Sequence, residues 1–177
     1  MKISIKRFQI FSAIFTMIIG TLLHFTYEWS NENLLIASFS AVNESIWEHL
    51  KLLFYPMLFT TIIGYFYFLT NKHNFLCAKT IGILTAISFT TTFFYTYTGI
   101  VGTNFAILDI SSFFVAVILG EYVAYRLLIS DFICNKKIAF IVLVVLLLCF
   151  IVFTYVPPKI GLFIDPVNGS FGIQQKS

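Results

Sequence analysis

Residues 138–156 read IAFIVLVVLLLCFIVFTYV, a run of nineteen residues without a charged side chain. A helix needs about 20 apolar residues to cross a bilayer, so this run has the length of one membrane span. A strand of a transmembrane barrel would alternate apolar and polar residues, and this run does not alternate. The sequence therefore predicts a membrane-spanning α-helix here, and the fold depends on how many such runs precede it.

Four more stretches are long and apolar enough to cross a bilayer. They are predicted at residues 8–27, 46–69, 75–97 and 104–128. The segment 34–42 is also apolar but too short to span, which predicts an interfacial or re-entrant helix. The expected fold class is an all-α membrane protein, a five-span transmembrane helical bundle with this one short helix. We expect the whole chain, 1–177, to form a single integral membrane domain that ends in an outer tail at 157–177.

The composition is typical of a protein that is embedded in a lipid bilayer. Hydrophobic residues make up 59% of the 177 residues and charged residues 11%, whereas soluble domains carry roughly 25% charged residues. The mean hydropathy is +0.91. A net charge of +3, with its basic residues in short loops, argues against a nucleic-acid partner, so membrane lipids are the expected partners. The three cysteines, Cys77, Cys134 and Cys149, lack metal-site spacing and are expected to be packing residues without a disulfide.

Lysine and arginine are distributed unevenly between the two ends of the predicted spans. Cytoplasmic loops are enriched in these residues, so the richer end is predicted to lie inside. This places the N-terminus inside and the C-terminus outside, with the first apolar run kept as an uncleaved span. The richer end holds Lys2, Lys6, Arg7, Lys72, Lys79, Arg126, Lys136 and Lys137, and the other end holds Lys51, Lys159 and Lys176. Five of the eight acids fall at the outer end, and Asp131 falls at the inner one.

Two polar clusters lie where the first span ends and the second begins. They are HFTYEW at 24–29 and VNESIWEHLK at 42–51. Ionisable groups at membrane depth are costly and usually mark function. A spacing of four residues puts His24 and Glu28 on one helix face, and Glu44 and Glu48 on another. Together they predict a carboxylate–histidine site at the outer end, like those found in the cores of helix bundles.

The chemistry predicted for this site is metal binding. His24, Glu44, His49 and Asp109 are the predicted ligands, because imidazole and carboxylate groups bind divalent metals such as zinc. Asp109 is included because its place in the fourth span puts it about 8 Å below the same end. Glu28 or Glu48 is predicted to be the general base. A metal ion would lower the pKa of its bound water toward about 7, so a nucleophilic side chain is not required.

Each of these residues also has an explanation in packing alone. Ser45 and Glu48 fit a capping box, and Glu48 could pair with Lys51 at a spacing of three. The carboxylate of Asp109 could simply bond to a neighbouring hydroxyl group, on Ser112 or Tyr97.

Glu121 lies near the inner end of the fourth predicted span, away from the other acids. Pairing with Tyr125, or with Lys79 from another helix, would account for it without any function.

Three functions follow from these alternatives. The first is a membrane enzyme that performs metal-assisted hydrolysis or transfer on a lipid-like or envelope substrate. The second is a small cation- or proton-coupled transporter, which requires Glu121 to face the bundle interior and is disfavoured if Lys79 neutralises it. The third is a non-catalytic assembly protein, whose polar site would be fully satisfied by mutual hydrogen bonds and would have no cavity.

Three motifs together resemble a known family. HFxYEW at 24–29, VNESxWEHLK at 42–51 and DPxxGxxG at 165–172 look like the signatures of a domain-of-unknown-function family of small bacterial integral membrane proteins. The resemblance covers essentially the whole chain. It implies a multi-pass protein of a bacterial cell membrane and no particular activity. The third motif is also a turn signal, from which either a lid over the outer mouth or a disordered tail is expected.

Overall fold

The computed structural model of the protein describes residues 4–68, 73–130 and 132–173. Within these ranges the regular structure is helical, apart from one isolated bridge between Ile164 and Phe171. The helices are α1 (Ile5–Trp29), α2 (Leu34–Ala37), α3 (Ile46–Phe68), α4 (Phe75–Val101), α5 (Ala106–Ile129), α6 (Lys136–Tyr155) and a 3-10 helix at Gly161–Phe163. Among the described residues, five helices are long and apolar enough to cross a membrane. The predicted all-helical, five-span fold is therefore confirmed, and the chain is a multi-pass membrane protein.

The short helix α2 covers only the first four residues of the predicted segment 34–42. The chain leaves the helix because Ser40 bonds back to α1. Its hydroxyl donates to the carbonyl of Leu23 at 2.5 Å and accepts from the amide of Tyr27 at 2.9 Å. These bonds draw the following residues toward the end of α1. Several residues used in the predictions lie outside the described ranges, namely Lys2, residues 69–72 with Lys72, Asp131, and residues 174–177 with Lys176.

Small residues allow the spans to approach closely. A Cβ atom on Gly82 of α4 would lie 2.5 Å from the carbonyl oxygen of Gly120 in α5, and one on Gly120 would lie 2.6 Å from that of Gly82. Likewise, a Cβ atom on Gly20 of α1 would lie 2.4 Å from the carbonyl oxygen of Leu52 in α3. Close backbone approach at small residues is a usual mode of helix association in lipid. The four helices α1, α3, α4 and α5 thus form one tight bundle.

Successive spans run in opposite directions, which gathers the unusual polar residues at one end. The end of α1, the start of α3, the end of α4 and the start of α5 meet there. We call this the site end and define it by residues 24–29, 42–49 and 97–109. The opposite end, which we call the disulfide end, holds Cys77 and Cys134. Which end faces the cytoplasm stays a prediction from the lysine and arginine bias.

Cys77 and Cys134 form a disulfide, with their Cα atoms 6.4 Å apart, a normal separation for such a bond. The expectation that all three cysteines are unpaired packing residues is therefore wrong for these two, while Cys149 is free. The pair is 57 residues apart in sequence. It meets because packing of α4 against α5 brings the first turn of α4 beside the connection to α6. The spacing of the cysteines in the sequence does not predict this pairing.

Thiol counting tests this bond. One cysteine per chain, Cys149, is expected to react with iodoacetamide in denaturant before reduction, and all three are expected to react after it. The double variant Cys77→Ser/Cys134→Ser is expected to lose about 2–4 kcal/mol of stability, as is typical for a bond that closes a long loop. Cys149→Ser is the matched control and should unfold like the wild type. Three reactive thiols in the purified, unreduced protein would contradict the assignment.

Candidate functional site

Two histidines and one glutamate meet at the site end. His24 lies in the last two turns of α1, His49 in the first turn of α3, and Glu44 in the loop before α3. Nε2 of His24 is 3.8 Å from Oε1 of Glu44, and Nε2 of His49 is 3.5 Å from Oε2. One donor atom from each of the three residues lies within 4.8 Å of the others. The two polar clusters of the sequence therefore form one site.

The ring of His49 is held in an orientation that suits a metal ligand. Its Nδ1 lies 2.9 Å from the carbonyl oxygen of Ser45, which can only accept a hydrogen bond, so Nδ1 carries the proton. In the neutral ring Nε2 then presents a lone pair toward the carboxylate of Glu44. Two electron-rich groups at 3.5 Å repel each other unless a proton or a cation lies between them. A backbone carbonyl bonded to the far nitrogen is also the usual support of a metal-bound histidine.

Glu44 lies in a loop that is held by hydrogen bonds on both sides. The amide of Ser45 bonds to the side chain of Asn43 at 2.9 Å, and the amide of Glu44 donates to the carboxylate of Asp165 at 3.4 Å. The nearby imidazole of His24, 3.8 Å away, lowers the pKa of Glu44 below its ordinary value, with a further contribution from His49, while partial burial opposes them. Glu44 is therefore a carboxylate at neutral pH.

The C-terminal segment folds back over the site end, as one of the two sequence alternatives expected. Asp165 turns the chain, because its amide donates to the carbonyl of Ser170 and its carbonyl accepts from the amide of Gly169. Gly169 has a φ of 74°, which glycine adopts without strain. The side-chain amide of Asn43 donates to the carbonyl of Gly172 at 3.0 Å. The DPxxGxxG motif thus forms a compact turn that is fastened to the loop carrying Glu44.

A cavity of about 450 Å³ extends from the three-residue cluster into the bundle. Its lining is mostly apolar, with the polar groups concentrated at the site end. Val167 of the folded-back turn contributes to its wall. The lining residues are Gly20, Thr21, His24, Phe25, Glu44, Ile46, His49, Leu52, Leu53, Thr90, Phe94, Asn104, Ala106, Asp109, Ile110, Ser112, Phe113, Phe114 and Val167. A concave apolar pocket with a few converging polar groups is the usual form of a small-molecule site.

Asp109 lines the same cavity but lies outside the three-residue cluster. Its carboxylate accepts hydrogen bonds from the hydroxyl of Tyr97 and, at 3.4 Å, from the side-chain amide of Asn104. The Ser112 hydroxyl bonds to the backbone carbonyl of Asp109, not to its carboxylate. Of the four predicted metal ligands, the structure thus brings together His24, Glu44 and His49 and places Asp109 beside them in the cavity.

A family model described as a family of unknown function (DUF6512) matches residues 1–173. The chain belongs to this family. No curated protein and no solved structure matches it. DUF6512 membership fits the expected domain-of-unknown-function family and assigns no activity.

The two predicted bases of this DUF6512 chain do not line the cavity. Glu28 is exposed on the last turn of α1. Glu48 is 2% exposed, and its Oε2 lies 2.5 Å from Nζ of Lys51. Lys51 also donates to the carbonyl of Ala37 at 2.8 Å and to the hydroxyl of Thr154 at 2.9 Å. This buried pair ties α2, α3 and α6 together, and Glu48 is the i,i+3 partner that the packing explanation expected.

A second buried ion pair lies toward the disulfide end. Nζ of Lys79 in α4 is 2.6 and 2.7 Å from the carboxylate oxygens of Glu121 in α5. The hydroxyl of Ser12 in α1 lies 2.7 Å from the same carboxylate and 2.6 Å from the hydroxyl of Thr60 in α3. The network joins four helices at one point. Of the two partners proposed for Glu121, the structure gives it Lys79.

Sequence reasoning missed the role of Asp165 and the walls of the cavity. Asp165 is 4% exposed and accepts from the amide of Glu44, so it orients a predicted ligand from 121 residues away. Its presence in the DPxxGxxG motif was the available signal. The apolar wall residues carry no comparable signal, because leucine and phenylalanine at membrane depth face lipid as often as a cavity.

Proposed function

We propose that this protein is a membrane enzyme that binds one divalent transition-metal ion, such as zinc, through His24, Glu44 and His49. Its reaction is hydrolysis or group transfer on a lipid-like or envelope substrate. The observation that carries the proposal is the position of the donor set, which lies at the polar end of a 450 Å³ cavity. A ligand set that opens onto a substrate-sized cavity is the arrangement expected of a catalytic metal site.

The donor set fits zinc in kind and spacing. Catalytic zinc sites hold the metal with three protein ligands, often two histidines and a glutamate, and leave a fourth position for water or substrate. Ligands about 2.0–2.2 Å from one tetrahedral ion lie roughly 3.4 Å apart. The nitrogen-to-oxygen distances of 3.5 and 3.8 Å are close to that spacing, so small side-chain rotations would complete the site.

The remaining polar groups of the cavity suit hydrolysis. A metal ion at this site would lower the pKa of bound water toward about 7 and polarise a substrate oxygen. In the proposed step the water oxygen bonds to the acyl carbon or phosphorus of the substrate, and the bond to the leaving oxygen breaks. A proton of the water passes through the carboxylate of Asp109 to that leaving oxygen. Asp109 takes the place of Glu28 and Glu48 as base because it lines the cavity.

Two observations favour this function over the alternatives. The transport reading needs an unpaired Glu121 facing the bundle interior, and Lys79 neutralises that carboxylate. The assembly reading accounts for the Glu48–Lys51 and Lys79–Glu121 pairs, which lie away from the cavity. It does not account for a cavity at the cluster of His24, Glu44 and His49.

Zinc titration of the detergent-purified protein tests the proposal. The wild type is expected to bind one equivalent, and His24→Ala is expected to weaken binding by more than about 100-fold because a metal ligand is lost. His73→Ala is the matched control, since His73 is the third histidine of the chain and lies exposed beyond α3, at the opposite end. Equal affinities of His24→Ala and His73→Ala would refute the site.

A further inference from the structure

The cavity has a side opening between α1 and α5. Toward the disulfide end these helices touch. A Cβ atom on Gly20 would lie 2.7 Å from the ring of Phe113, and Ser12 bonds to Glu121 about two turns further along. Toward the site end, Thr21 and Phe25 of α1 and Ala106 and Ile110 of α5 line the cavity. The two helices therefore border a cleft at the site end.

Residues on the rim of this cleft are exposed on the outer surface of the bundle as well as lining the cavity. Phe25 is 43% exposed and Ile110 is 59% exposed. Thr21 on α1 and Ala106 on α5 are exposed too. The inner wall, by contrast, is made of buried side chains such as Leu52 and Leu53. Residues that belong to both surfaces mark where the cavity opens, so these four residues mark a side opening between α1 and α5, and the exposed lining residues Glu44, Asn104 and Val167 mark an opening at the site end.

The surface around this opening is the kind that faces lipid. Ile18 and Leu22 on α1, and Ile107 on α5, are large apolar side chains that stand exposed on two membrane-spanning helices. The rim residues on the two helices, Thr21, Phe25, Ala106 and Ile110, carry no charge. A molecule that enters here meets apolar groups first and the His24–Glu44–His49 cluster at the end of the cavity nearest the membrane surface. The folded-back turn at Val167 covers part of the site end.

We infer that the substrate is an amphiphile of the bilayer that enters sideways through the opening between α1 and α5. Its hydrocarbon chain lies along Leu52, Leu53 and Phe113, and its polar head places an ester or phosphoester oxygen at His24, Glu44 and His49. The inference rests on the proposed function and names its substrate class. A volume of 450 Å³ lies in the lower half of the usual range for ligand pockets, roughly 300–1,000 Å³. It suits one chain and not two.

Photo-crosslinking in nanodiscs tests this inference. The probe is phosphatidylcholine with a diazirine on one acyl chain, and the labelled peptides are mapped by mass spectrometry. We expect labelling of the buried residues Leu52 and Leu53 in addition to the lipid-facing surface. Ile110→Trp is expected to reduce that buried labelling to background, because a larger side chain fills the opening. Ala106→Trp, on the same rim, provides a second variant in case the first disturbs folding.

The matched control is Ile118→Trp, the same substitution two turns along α5 on an exposed position that does not line the cavity. It should leave the labelling of Leu52 and Leu53 unchanged. No buried labelling in the wild type, or labelling that survives both rim substitutions, would overturn the inference. Zinc affinity is measured on the same samples and should stay unchanged in the rim variants. Buried labelling without zinc binding would refute the metal site alone, and zinc binding without buried labelling would refute the lateral entry alone.

Discussion

Replacing Lys79 with methionine is expected to lower the free energy of unfolding by about 3–5 kcal/mol. Lys79 and Glu121 are both buried, and each neutralises the other inside the bundle. Removing the lysine leaves an unpaired carboxylate in a low-dielectric interior, which costs more than the ion pair contributed. The carboxylate also accepts a hydrogen bond from Ser12, so the substitution weakens the packing of α1 as well as that of α4 and α5. Unfolding in a denaturing detergent, followed by circular dichroism, measures the effect.

The double variant Lys79→Met/Glu121→Leu separates charge burial from packing. It is expected to be more stable than Lys79→Met alone, because replacing a buried ion pair by apolar residues of similar volume is often nearly neutral. Lys137→Met is the matched control, since Lys137 is exposed at the start of α6. The account of this network fails if Lys79→Met and Lys137→Met unfold alike.

Zinc affinity is expected to fall about 100-fold between pH 7.5 and pH 5.5. A histidine binds metal only when neutral. The neutral fraction of a free imidazole, whose pKa in water is about 6.5, falls about tenfold over this range, so proton competition for two imidazole ligands is on the order of 100-fold. Glu44 does not add to the change, because its pKa lies below the ordinary value of 4.5 and it stays ionised. Calorimetric titration of the wild type at several pH values measures the slope.

The ionisation of Glu44 affects the stability of the fold in a different pH range. Folding lowers the pKa of Glu44. Its ionised form therefore stabilises the fold at pH values above the ordinary pKa, and this stability is lost as the pH falls through the lowered pKa. That loss lies below pH 4.5. His73→Ala should reproduce the wild-type profile. An affinity that is constant from pH 7.5 to 5.5 and falls only below 4.5 would mean that carboxylates alone hold the metal.

Much of the fold was predictable because lipid imposes a simple rule. A backbone in hydrocarbon must satisfy its own hydrogen bonds, so long apolar runs become helices. Alternating helix direction then places His24, Glu44 and His49 at one end. Chain order placed the two clusters at the same end but left open whether they meet, and the structure brings these three residues together.

Other features depend on packing and could not be read from the sequence. Glu44 and Glu48 share a spacing of four, yet Glu44 reaches the cavity and Glu48 turns toward Lys51 and α6. The helix starts only at Ile46, so Glu44 lies in the loop and the helical spacing does not apply to it. The cavity is walled by apolar side chains from several helices, and no sequence motif marks them.

The disulfide bears on the orientation of the chain in the membrane. The lysine and arginine bias predicts that the disulfide end lies inside, and cytoplasmic thiols are generally kept reduced. The Cys77–Cys134 disulfide therefore conflicts with the orientation that the bias predicts. Trapping thiols in intact cells before purification, and counting them as described above, therefore reports on the compartment as well as on the bond.

The most direct measurement of the central claim is zinc K-edge X-ray absorption on protein loaded with one equivalent of zinc. The account predicts a shell of nitrogen and oxygen at about 2.0–2.2 Å, with outer-shell scattering from two imidazole rings and no sulfur at about 2.3 Å. His24→Ala should lose one imidazole ring from that pattern, and His73→Ala should leave it unchanged. A sulfur shell, or a spectrum that is the same in His24→Ala and the wild type, would contradict a metal site made of His24, Glu44 and His49.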